Sequence, residues 1–154
     1  MSVVGPQLYP DDYLLTNVWG NAQPKVAAGA DISVTVPNGQ IWRVASLRAL
    51  LTASGNAANR NVGFIVKNQD GTSVYEYNLT AALTAGQSGV FTFSKDVASV
   101  PTAIATTNRL LMPMSSEPIP AGWSFGTSTL NIDASDQWSA IGLWVETLLP
   151  PRGE

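Results

Sequence analysis

Gly122-Trp123-Ser124-Phe125-Gly126 carries the spacing G-x-S-x-G, which in hydrolases exposes a nucleophilic serine on a strand-to-helix turn. A serine nucleophile needs a base to take its proton, and the chain contains no histidine. The segment follows Pro120-Ala121-Gly122 and runs into the alternation Trp123, Phe125, Thr127, so it reads as a strand and Ser124 as an ordinary strand residue. Carboxylates are what remains for acid–base or metal chemistry. Asp133 and Asp136 could flank a glycosidic bond, or with Asn131 line a calcium site. They sit between two predicted strands, where Asx side chains close turns on their own backbone, and the turn reading is favoured. Asp11-Asp12 after Pro10 likewise reads as the start of a turn or a helix cap. With no cysteine, no G-x-G-x-x-G and no P-loop, the residues call for no catalytic group, no cofactor and no metal.

The chain has five tryptophans. In Trp138-Ser139-Ala140-Ile141-Gly142-Leu143-Trp144-Val145-Glu146-Thr147, a period of two puts Ile141, Leu143 and Val145 on a core face. The other face would carry Trp138, Ala140, Gly142, Trp144 and Glu146, a shallow trough with two large rings flanking two small residues. Three readings stay open for it: a second buried face, a subunit interface, or a stacking platform for sugar rings. Trp42 and Trp123 are expected in the core or at sheet ends.

These residues must be positioned by strands. Ile32 to Val36 alternates cleanly, and Pro37-Asn38-Gly39-Gln40 supplies a tight turn that predicts a hairpin with the run Ile41 to Thr52. That run also fits one helix face at Val44, Leu47, Leu50 and Leu51, but the turn before it favours a strand. Further strands are predicted at Val62 to Lys67, Val74 to Asn78 after the Asp70-Gly71 turn, Val90 to Phe93, Arg109 to Met114, Trp123 to Ile132, and Trp138 to Leu148. Longer loops are expected at Leu79 to Gly89 and Asp96 to Asn108. About eight antiparallel strands predict an all-β, jelly-roll-like β-sandwich over residues 31–149, with a tail at 150–154. Residues 1–30, punctuated by Pro6, Pro10, Pro24, Gly5, Gly20 and Gly29, read as an irregular N-terminal arm. Its Tyr9, Tyr13, Leu14, Leu15, Val18 and Trp19 are too apolar for a solvated tail, so the arm is expected to pack on something.

The 8 basic and 11 acidic residues leave a net charge of −3, and the basic ones are scattered, so no nucleic-acid footprint is formed. Charged residues are 12% of the chain, where about 25% is usual, so much of the surface must be neutral and suited to contact with partners. The first residues carry no secretory pattern, and no run approaches the length of a membrane span. The sequon Asn78-Leu79-Thr80 means little without a secretory route.

Glu117-Pro118-Ile119-Pro120-Ala121-Gly122-Trp123-Ser124-Phe125, followed by Asp136-Gln137-Trp138 through Trp144-Val145-Glu146, resembles the end of small structural proteins of tailed bacteriophages. The layout is similar to capsid decoration (cement) proteins and related head or tail β-sandwich components. The resemblance covers the last third of the chain and elsewhere only its texture. It implies a non-catalytic virion part made in the host cytoplasm, a homotrimer seated on the major capsid protein or other virion subunits. The interface residues expected are Tyr9, Tyr13, Leu14, Trp19, Trp138 and Trp144. The competing expectation is a carbohydrate-binding module or receptor-binding tip that uses Trp138, Trp144 or Trp42 as ring platforms.

Overall fold

The computed structural model describes residues 14–16, 26–95, 109–114 and 117–149. The strands are β1 (Leu14–Thr16), β2 (Ser33–Thr35), β3 (Ile41–Thr52), β4 (Arg60–Lys67), β5 (Ser73–Leu83), β6 (Ser88–Ser94), β7 (Arg109–Pro113), β8 (Ile119–Pro120), β9 (Ser124–Leu130) and β10 (Gln137–Leu149). No helix occurs among the described residues. The predicted all-β class holds, and the run Ile41–Thr52 is a strand. Two elements come in addition to the eight predicted: β1, inside the segment read as an arm, and the two-residue β8. Residues 79–83, predicted as loop, continue β5.

One sheet has the order β1-β10-β3-β6-β7, with β8 also on β3, and the other has the order β2-β9-β4-β5. Pairing is antiparallel except between β6 and β7, which run parallel. Consecutive strands tend to leave one sheet for the other, and the hairpin predicted across Pro37–Gln40 is overturned by this. The turn forms, with the Gln40 amide donating to the Pro37 carbonyl at 3.2 Å. Yet β2 pairs with β9 and β3 with β10 and β6, so the turn is a corner between sheets. Turn residues determine that a chain reverses, whereas the partner of each strand is decided by which face it can bury. The Asp70-Gly71 signal does close a hairpin: β4 pairs with β5, and Asn68 Oδ1 accepts from the Asp70 and Thr72 amides at 3.0 and 2.9 Å.

The core lies between the sheets and follows the period of two. Ile32, Val34 and Val36, then Val62, Phe64 and Val66, face Leu47, Ala49, Leu51, Phe91 and Phe93. Phe64 sits at its centre, its ring 5.6 Å from Phe93 and 6.3 Å from both Phe125 and Tyr75. Such tilted ring pairs add about 0.5–1.5 kcal/mol to the burial of area itself. Gly126 lets β2 approach β9 at the sheet edge, since a Cβ there would run into the Ile32 carbonyl oxygen.

Candidate functional site

Two constellations stand out, one of charge and one of exposed aromatic surface. The first is Arg60, completely buried at the start of β4. Its Nε and Nη2 donate to Asp136 Oδ2 and Oδ1 at 2.9 and 3.0 Å, a bidentate pair with both side chains inaccessible. Nη1 donates to the carbonyls of Asn56 and Ala58 at 2.9 and 2.6 Å, and Nη2 also donates to Ser54 Oγ at 3.0 Å. All five guanidinium donors are thereby satisfied. Asp136 further accepts from the Ser54 amide at 2.7 Å and the Asp133 amide at 2.8 Å. Burial alone would raise its pKa, but the Arg60 hydrogen bonds, the two amides and the Arg60 charge outweigh burial and lower it to about 2. Asp133 accepts from Ser135 N, Ser54 Oγ and Asn56 Nδ2. The Ser135 amide and then the Asn56 amide group hold its pKa below the ordinary carboxylate value. Within 131–136 the carboxylates close their own turn through the Asp133 and Ser135 amides, as the turn reading expects, and beyond that reading they tie it to the connection 53–59. Among the described residues no group of three or more acidic, His or Cys side chains is arranged to hold a metal ion.

Asp31 does similar work at the start of β2. Its Oδ1 accepts from Thr127 Oγ1 at 2.8 Å, Thr129 Oγ1 at 2.6 Å and Trp138 Nε1 at 3.3 Å, and its Oδ2 accepts from the Thr129 amide at 2.9 Å. On the outer side of the same sheet lies a crevice of about 120 Å³ whose lining includes Ser33, Ile65, Lys67, Ser124 and Ser128. Ser124 of the G-x-S-x-G segment is thus a strand residue at the start of β9, opposite Lys67 of β4, and does not sit on the strand-to-helix turn that the hydrolase motif needs.

The aromatic constellation differs from the trough read from strict alternation. Trp138 is 2% exposed and packs edge-on against Phe91 at 5.7 Å, while Trp144 is 52% exposed. The two rings lie on opposite faces because the strand is bulged between them. Ser139 pairs with Leu50 and Gly142 with Arg48, so β10 takes three steps where β3 takes two. One extra residue inverts the alternation, which returns Leu143 and Val145 to the core and turns Trp144 outward. Ala140, within the bulge, has a φ of 49°, a left-handed conformation that L-residues other than glycine adopt at a cost. Around Trp144 the outer face carries Ser46 as its direct partner and Ser94 beyond it, with Gly142 and the exposed Arg48 in the next row. The face is flanked by an ion pair between Lys95 and Glu146 at 3.0 Å.

Of the residues singled out in sequence, Trp144 alone is shown as an exposed ring. Trp138 and Trp42 are core residues, Trp42 with its Nε1 donating to Gln40 Oε1 at 2.6 Å. Leu14 belongs to β1, opposite Leu149. Tyr9, Tyr13 and Trp19 lie outside the described residues. Arg60 was missed, although a signal existed: residues 60, 62, 64 and 66 share one parity, and the last three are plainly core. Comparison with known proteins finds no family model, no curated protein and no solved structure that matches this chain.

Proposed function

We propose that this protein is a non-catalytic structural subunit of a phage virion, a capsid decoration (cement) protein that stabilises a head through repeated contacts, and that its sandwich is a jelly roll. The observation that carries the reading is Trp144, a large ring left half exposed on a strand bulged so as to turn it outward. Exposed aromatic residues, here with Arg48 in the neighbouring row, are enriched at contact surfaces. The connectivity supports the jelly roll. Setting β7 and β8 aside, the antiparallel pairs β4·β5, β3·β6, β2·β9 and β1·β10 form one long two-stranded ribbon. The ribbon is rolled so that β3 also meets β10 and β4 meets β9. Jelly rolls of this kind serve in viral capsids and in lectins. The resemblance of the C-terminal third to decoration proteins favours the capsid, with the major capsid protein or other virion subunits as partners and a homotrimer as the assembly. Many weak contacts of one kind then add up through multivalency.

Light scattering on the purified full chain tests this. A mass that is a multiple of 16.3 kDa is expected, and Trp144→Ser should weaken association by about 30-fold, the effect of losing one aromatic hot spot. A monomer at every concentration, with no binding to capsid shells, would overturn the reading. The exposed Trp144 ring also fits a sugar platform, with Trp42 and Trp138 no longer available for it. A rise in melting temperature with a glycan, abolished in Trp144→Ser, would favour that second function.

A further inference from the structure

We infer that Asn38 is a site of spontaneous covalent modification, deamidating through a succinimide while the protein is folded. The reaction needs the backbone nitrogen of the following residue to attack the asparagine side-chain carbon. It is therefore limited by bulk on that residue, by hydrogen bonding of that nitrogen, and by anything that restrains the side-chain amide. At Asn38 all three brakes are off. The following residue is glycine, and no other asparagine in the chain precedes a glycine. Space around Gly39 is open, since even an added Cβ would find no atom within 4 Å beyond its two chain neighbours. Within the corner turn the hydrogen bond is made by the Gln40 amide to Pro37, one residue further on. Pro37, Asn38 and Gly39 are all exposed.

Three other asparagines among the described residues, and the one comparable turn, show the brakes applied. Asn56 has its amide group on both oxygens of Asp133 and is followed by alanine. Asn131 donates to the Asn59 carbonyl and is followed by isoleucine. Asn68 has its side-chain oxygen occupied by two backbone amides. Asp70-Gly71 has the same open space, but the Gly71 amide donates to the Asn68 carbonyl at 3.0 Å, so its nitrogen is engaged.

In the reaction the Gly39 nitrogen forms a bond to Asn38 Cγ and gives up its proton. The side-chain nitrogen leaves as ammonia. Water then opens either ring carbonyl, yielding aspartate or isoaspartate. Each product adds one negative charge to a chain whose net charge is −3, and isoaspartate also inserts a methylene into the backbone. The change falls on the corner that joins β2 to β3, just beyond the pair of hydrogen bonds that tie Val36 to Gly122 and Trp123. It therefore alters the surface at that end of the sandwich and leaves the core intact.

The test is ageing of the folded full chain in mildly alkaline buffer, followed by mass analysis of the tryptic segment 26–43 and enzymatic methyl labelling of isoaspartate. Conversion at Asn38 ahead of every other asparagine is expected, with isoaspartate as well as aspartate in the product. Asn38→Gln, which would need a slower six-membered closure, should lose the methyl label at this segment. Far-ultraviolet dichroism after ageing confirms that the sandwich persists. Asn38 remaining intact while another asparagine converts, or converting only after urea unfolding, would overturn the inference.

Discussion

At the scale of single residues the fold depends on how Asp136 is held. Its carboxyl has a pKa of about 2 in the folded protein against 3.8 for a free group. A depressed folded value contributes stability that is complete above the unfolded pKa and is lost as pH falls through the folded one. Unfolding free energy should therefore decline between about pH 4 and pH 2, by about 2 kcal/mol from this group. Urea titrations across that range measure it. Asp136→Asn should cost about 3–5 kcal/mol at neutral pH, because Arg60 is left charged, buried and without its counter-ion, and should flatten the acid limb. Replacing both partners with apolar residues would not restore the loss. The amides of Ser54 and Asp133 and the carbonyls of Asn56 and Ala58 would all lose partners as well. A second residue carries a cost that can be removed. Ala140→Gly relieves a left-handed alanine and should raise stability by up to about 1 kcal/mol, a melting shift of a few degrees, since the gain is partly offset by the freer unfolded chain.

At the scale of elements, strands were legible where one face is wet. Ile32–Val36 alternates because its sheet buries one side, and the alternation alone locates it. The same rule puts Arg60 inward with Val62, Phe64 and Val66, although its charge argues the other way until its five hydrogen bonds are known. What could not be read was register. The β10 bulge leaves no mark in composition: Ala140 is an ordinary residue in an unusual backbone, and one inserted position was enough to separate Trp138 from Trp144. Partner choice was hidden too. The Pro37–Gln40 turn has hairpin chemistry, yet β2 and β3 are drawn to different sheets because their buried faces meet across the core rather than side by side. The parallel β6·β7 pairing belongs to the same class, fixed by which edge of the sheet was left open. The candidate contact face was therefore half legible: the type of residue was evident, and its direction was not.

At the scale of the whole molecule, the rolled ribbon dictates how the chain must fold. The pair β4·β5 is local, closed by a turn at 68–72, whereas β2·β9 joins residues 33–35 to 124–126 and β1·β10 joins 14–16 to 147–149. Loop-closure entropy opposes the distant pairs until the near ones exist, so folding should be slow for a domain of this size, in the millisecond-to-second range. The order of events follows from the same cost. The β4·β5 hairpin and the β3·β6 pair laid against it through Phe64 and Phe93 would form the nucleus, and β2 would dock late. Two substitutions separate these stages. Gly71→Ala strains the hairpin turn, where φ is 85°, and should slow folding while changing unfolding little. Val34→Ala removes core contacts of β2 and should leave the folding rate nearly unchanged while unfolding accelerates. Stopped-flow chevrons of the two variants report both limbs directly. If Val34→Ala slowed folding as much as Gly71→Ala, closure of the ribbon ends would already be present in the transition state, and the roll would form all at once.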